Sequence, residues 1–166
     1  MPSFQDETIQ IIKKQIMKKI YLLLLCVVIS NVQSQTLDNS GLSNTDKEQL
    51  IQKCLTFQPL QDVIPTKVKD QMSTYQILNK AENVTLPLTL IVAGKPTSLI
   101  SEATIETNNP FYEFHLIKVN GNKTFVRYSF LFNENGVPKK VQVHLEFEKK
   151  NSEWITTNNN ISDIIK

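Results

Sequence analysis

The chain has 166 residues, 40% of them hydrophobic and 20% charged, with a formal net charge of +2. That balance excludes a disordered polar chain and a strongly polybasic binder of nucleic acid. Two cysteines and two histidines exclude a disulfide framework and offer metal chemistry little to work with.

The first segment with a physical meaning starts at Met17-Lys18-Lys19, continues as the apolar run Ile20 to Ile29, and ends at Val32-Gln33-Ser34. A basic start, an apolar stretch of about 10 residues and small or β-branched residues at the minus-three and minus-one positions make a secretory signal peptide, with cleavage expected before Gln35. A spanning helix needs about 20 apolar residues, and Ser30-Asn31 interrupts this run too early. A lipid-modified Cys26 would need a small residue where Leu25 stands. Residues 1–16 either extend the basic region or precede a true start at Met17, and the second reading is favoured. The protein is therefore expected to be exported, periplasmic or secreted, with membrane contact only through the signal before cleavage.

Loss of residues 1–34 removes Lys13, Lys14, Lys18 and Lys19 together with Asp6 and Glu7, which leaves an electrically balanced chain. About 132 residues remain, enough for one domain with one core. The basicity belongs to the targeting segment, so nucleic acid is not an expected partner. Cys26 leaves with the signal, and Cys54 remains on an apolar helical face as a small core residue. His115 and His144 lie far apart, with no His-Glu-x-x-His or Cys-x-x-Cys spacing, so neither a metal nor a cofactor is expected.

Residues 35–44 are polar and read as a flexible leader, and 45–166 as a single α+β domain. Thr45-Asp46-Lys47-Glu48 has the form of a capping box, and Leu50, Ile51, Cys54 and Leu55 follow at the spacing of one helical face. Phe57-Gln58-Pro59 ends this amphipathic helix, and a short helical turn at Leu60 to Ile64 is stopped by Pro65. From about Ser73 the pattern becomes extended. Strands are expected at Thr74 to Asn79, Leu88 to Ala93, Thr97 to Ser101, Tyr112 to Val119, Thr124 to Asn133, Lys139 to Lys149 and Glu153 to Asn158. Short turns between the last four predict an antiparallel meander. Val141, Val143, Leu145 and Phe147 alternate with polar residues, as do Val126, Tyr128, Phe130 and Phe132, so one sheet face is core. The expected architecture is an N-terminal helix packed on a curved antiparallel sheet.

The run Val141 to Phe147, then the charged turn Lys149-Lys150-Asn151-Ser152-Glu153 before Trp154-Ile155, resembles small exported domains of the nuclear transport factor 2-like and cystatin-like type. The resemblance implies a sheet curled around a helix and, in some members, a cone-shaped pocket. It differs in helix content, with one firm helix where the larger superfamily has more. It transfers no function.

His115 and Glu113, two residues apart on one strand face, are the only pair that suggests general acid–base chemistry. Their face depends on the Asn120-Gly121-Asn122 turn, because a two-residue loop places His115 with Val126 and Tyr128 and a three-residue loop reverses it. His144 falls on a polar face. Arg127, the sole arginine, reads as a cross-strand partner of a glutamate. Tyr128, Arg127 and Trp154 are the candidate binding residues, although Tyr128 and Arg127 point to opposite faces. Asn83, Asn122 and Asn160 each begin an Asn-x-Ser/Thr sequence, which matters only in a glycosylating route. Phe111, Ile117 and Leu131 are expected to form an exposed apolar patch unless the segment Gln61 to Met72 covers them. The function expected is non-enzymatic binding of a protein or small ligand, and the alternative is a small pocket enzyme using Glu113 and His115.

Overall fold

The computed structural model describes residues 40–86, 90–105 and 109–165. The signal segment, residues 35–39 of the leader and the first residues of the expected second strand lie outside them.

Turn chemistry sets the sheet. Strands β1 Tyr75–Asn79, β2 Ile91–Val92, β3 Lys95–Ile100, β4 Phe111–Asn120, β5 Lys123–Glu134, β6 Val137–Lys150 and β7 Glu153–Ile165 follow one another. Two-residue loops join β2 to β3, β5 to β6 and β6 to β7, with positive φ at both central residues: Ala93-Gly94, Asn135-Gly136 and Asn151-Ser152. That backbone matches the right-handed twist of the strands it connects. The β4–β5 loop instead places Gly121 first, at φ 60°. These hairpins make β4 to β7 an antiparallel meander.

The whole sheet is mixed, which corrects the antiparallel expectation. Its order is β2-β3-β1-β4-β5-β6-β7, and β1 runs parallel to both β3 and β4. Antiparallel pairing follows from short connections, and β1 has none: residues 80–90 carry the chain to β2, and 101–110 carry it from β3 to β4.

One face of the sheet is filled. Tyr112 and Phe114 of β4, Val126, Tyr128 and Phe130 of β5, Val143, Leu145 and Phe147 of β6 and Trp154 of β7 are all buried. Phe114 stacks on Tyr128 at 5.2 Å, and Tyr112 packs tilted against Phe130 at 4.7 Å. Burying each ring contributes roughly 2–3 kcal/mol in area terms. Helix α1 Asn44–Leu55 supplies Leu50, Ile51, Cys54 and Leu55 to this core. Two short helices, α2 Gln58–Val63 and α3 Thr66–Gln71, add Leu60 and Val68. Helix α3 was not expected: its six residues carry one buried apolar position, too few for a readable period. Cys54 is buried as expected, and burial pushes its thiol well above the usual range.

Polar atoms lock α1 at both ends. At its C-terminal end the Tyr128 hydroxyl donates to the Cys54 carbonyl at 2.7 Å. At its N-terminal end Ser43, not Thr45, is the cap, and Asp46 closes the capping box. The same Asp46 carboxylate accepts from the Trp154 indole at 2.9 Å and from the Lys149 ammonium at 2.6 Å. Leu42 packs against the core and Ser40 is buried, so order begins before Thr45.

Burial alone would raise the Asp46 pKa, but hydrogen bonds from Lys149, Ser43 and Trp154 outweigh it and hold the carboxyl at about 2. The folded value lies below the ordinary 3.8, so this stability is complete above that pH and is lost as pH falls through about 2. Asp46→Asn, which keeps an acceptor but not the charge, is expected to lower unfolding free energy by about 2 kcal/mol at neutral pH. In urea titrations the gap to the wild type should close below the folded value, and a gap independent of pH would contradict the assignment. A second expectation concerns Thr124, whose buried hydroxyl has no hydrogen-bond partner among the described residues. Thr124→Val removes that unpaired group at nearly constant shape and should raise stability by about 1 kcal/mol, read as a higher urea midpoint.

Candidate functional site

Because the helices fill one face of the sheet, the accessible chemistry of β4 to β7 lies on the other. A β-bulge in β4 decides which residues reach it. The two-residue Gly121-Asn122 loop pairs Asn120 with Lys123 and so brings Ile117 opposite Val126, in the core. Without interruption His115 and Glu113 would follow Ile117 inward. The bulge between Phe114 and Leu116 adds one residue, pairs Phe114 with Tyr128, and returns Glu113 and His115 to the outer face. The sequence shows this phase slip: the apolar positions run Tyr112, Phe114, then Ile117 and Val119.

Two groups of side chains result. The first surrounds Glu113, whose carboxylate is buried yet contacts Lys80 at 2.7 Å and Lys140 at 3.3 Å. Burial would raise its pKa, but Lys80, His115 and Lys140 together bring it below the usual value. His115 Nε2 stands 2.9 Å from the Ser129 hydroxyl and 3.5 Å from Glu113 Oε2.

The residues of a Ser-His-Glu relay are thus adjacent, but their atoms are wrongly disposed for one. A relay needs the carboxylate on one ring nitrogen and the hydroxyl on the other. Here the same nitrogen faces both. A carboxylate only accepts, so Nε2 carries the hydrogen when it faces Glu113, and it cannot then take a proton from Ser129. Ser129 is in addition fully buried. Burial lowers the His115 pKa more than Glu113 raises it, with Lys140, Arg127 and Lys80 adding to the depression, so the ring is neutral at pH 7.

The second group forms an open groove of about 610 Å³ on the outer face. Pairing across four strands builds it in two rows: Leu116, Arg127, His144 and Asn160 in one, Lys118, Phe125, Glu146 and Asn158 in the other. Leu116 and Phe125 give it an apolar floor. No ion pair among the described residues engages Arg127 or Lys118. Arg127 has Leu116 and His144 as its strand neighbours, not the glutamate that was expected.

Tyr128 and Trp154 lie in the core and not on an accessible face. Both are buried on the helix side with their polar tips occupied, Tyr128 by the Cys54 carbonyl and Trp154 by Asp46. The expected apolar patch also changes in membership. The two-residue loop register puts Ile117 in the core and leaves Leu116 exposed, while Phe111 and Leu131 pair across strands as half-buried neighbours. In the three glycosylation sequences all three asparagines are exposed, and Asn83 donates to the Ile117 carbonyl at 2.9 Å and Asn122 to the Glu148 carboxylate at 3.3 Å. Among the described residues no three His, Cys, Asp or Glu side chains converge as metal ligands. Leu116, Lys118, Phe125 and Glu146 carry no signal in the sequence, because each is ordinary alone and only strand register aligns them.

A depressed histidine pKa makes stability fall as pH drops below the ordinary 6.5, since the unfolded chain then binds more protons. Melting temperature should therefore decrease between about pH 7 and about pH 5 in the wild type, and less steeply in His115→Gln. Equal slopes would show that His115 is not the titrating group. Comparison with protein families, characterised proteins and solved structures found no match for the chain.

Proposed function

We propose that this chain is an exported binding domain that takes a small molecule with an apolar body and one anionic group into the groove on the outer face of its sheet. Export is supported by the signal pattern at Met17 to Ser34. No helix among the described residues is long and apolar enough to cross a membrane. The observation that carries the binding reading is the arrangement of Arg127, which has no ion-pair partner among the described residues, between Leu116 and His144 on the neighbouring strands and two residues along its own strand from Phe125, in a groove of about 610 Å³. Small-molecule sites typically measure about 300–1,000 Å³ and combine an apolar lining with a few placed polar groups. Lys118 and Arg127 outnumber Glu146, so the groove favours an anion. The Glu113–His115 alternative is disfavoured by the shared nitrogen described above.

Anilinonaphthalene sulfonate, an apolar ring system carrying one sulfonate, tests this reading, with the uncharged phenylnaphthylamine as its control. The sulfonate should bind saturably at one site. Arg127→Gln should weaken it by about tenfold, the loss of one charge-assisted hydrogen bond at a half-open site, while leaving the uncharged dye unchanged. Non-saturating fluorescence, or equal effects on both dyes, would refute the site.

A further inference from the structure

We infer that the small molecule is an acidic sugar, a hexuronate whose C–H face lies on Phe125 and whose carboxylate meets Arg127. The inference rests on the anion-binding groove proposed above and names the class of ligand that the remaining side chains of that groove accept.

The groove is lined by more polar chemistry than one anion uses. Beside Arg127 stand Lys118, His144, Glu146, Asn158 and Asn160. None of these side chains has a hydrogen-bond or ion-pair partner among the described residues. The other polar cluster on the same face is the opposite case, since Lys80 and Lys140 engage Glu113 there and Ser129 engages His115. Exposed polar groups are served by water, and a ligand that covers them has to take over those hydrogen bonds. A wholly apolar body cannot, at a cost of about tenfold in affinity for each group left unpaired. A fatty acid would satisfy Arg127 and strand the rest.

Donor and acceptor inventory selects hydroxyl groups. Arg127 and Lys118 only donate, the Glu146 carboxylate only accepts, and each asparagine amide does both. An ammonium on the ligand would serve Glu146 but leave the amide N–H groups without an acceptor. A hydroxyl donates and accepts, so neighbouring hydroxyls on one ring can satisfy Glu146, Asn158 and Asn160 together.

Strand register sets where each part of the ligand lies. Phe125 is directly opposite Lys118 on β4 and Glu146 on β6, and Asn158 on β7 is opposite Glu146. Arg127 is two residues along the strand from Phe125, about 7 Å away. A pyranose that rests its C–H face on the Phe125 ring therefore has its carboxylate within reach of the Arg127 guanidinium and its hydroxyls toward Glu146 and Asn158.

NMR titration of the isotope-labelled full chain, followed through the asparagine side-chain amide resonances, tests the inference. Glucuronate should bind at about millimolar concentration. It should bind about tenfold more tightly than glucose, which lacks the carboxylate, and than cyclohexanecarboxylate, which lacks the hydroxyls. This comparison uses the wild type alone and needs no variant to fold. Asn158→Ala, at an exposed position, should weaken glucuronate about fivefold and leave cyclohexanecarboxylate unchanged. Cyclohexanecarboxylate binding as tightly as glucuronate would overturn the sugar class, as would an Asn158→Ala loss shared by both probes. A chain that binds the sulfonate dye saturably and does not respond to glucuronate would overturn it too, with the anion groove intact. A dye that fails to saturate removes groove and sugar together.

Discussion

The Asp46 carboxylate is the constraint on which the rest of the arrangement depends. It accepts from the Ser43 backbone and hydroxyl, from the Trp154 indole and from the Lys149 ammonium. One buried charge thus caps a helix, satisfies the polar atom of the largest core side chain and anchors the β6–β7 hairpin. Such a group is tolerated out of water only when each of its lone pairs is used. Because its donors come from three separate chain segments, the helix can sit at only one place along the sheet. The Tyr128 hydroxyl on the Cys54 carbonyl fixes the other end of α1.

That placement decides which face of the sheet is accessible. With α1 held across the sheet and α2 and α3 packed beside it, the face carrying Tyr112, Phe114, Tyr128, Phe130 and Phe147 is filled by aromatic and aliphatic side chains. The largest aromatic side chains are therefore in the core. On the opposite face, short cross-strand rows put Arg127 beside Leu116 and His144. The polar cluster around Glu113 shares this face but serves a different end. Lys80 and Lys140 neutralise a buried carboxylate, and the neutral imidazole of His115 closes its rim.

How much of this was legible in the sequence depends on the range over which each feature is decided. Alternation in β5 and β6 is local, and those strands emerged with their core faces assigned correctly. The helix period of Leu50, Ile51, Cys54 and Leu55 is equally local. Its cap was not, since Ser43-x-x-Asp46 and Thr45-x-x-Glu48 have the same form, and the choice is made by a tryptophan more than a hundred residues away. The parallel pairing of β1 depends on two long connections, whose length leaves strand direction and partner unspecified by local turn geometry. Trp154 and Tyr128 looked available because a sequence does not show that their polar tips are taken.

The candidate site illustrates the same point at the scale of a single residue. The β4–β5 turn allows two outcomes for His115 by loop length alone, inward with a two-residue loop and outward with a three-residue one. The loop has two residues and His115 is nonetheless outward, because a bulge reverses the phase in mid-strand. The inward alternative would have buried Glu113 among aromatic rings with no lysine in reach, a far greater penalty than one disrupted ladder position. The apolar phase slip between Phe114 and Ile117 satisfies the core on both sides of the bulge and leaves Glu113 where Lys80 and Lys140 can meet it. The loop register that holds Ile117 inward leaves Leu116 outward next to Arg127, so the turn gives the groove part of its apolar floor while the bulge keeps a charge out of the core.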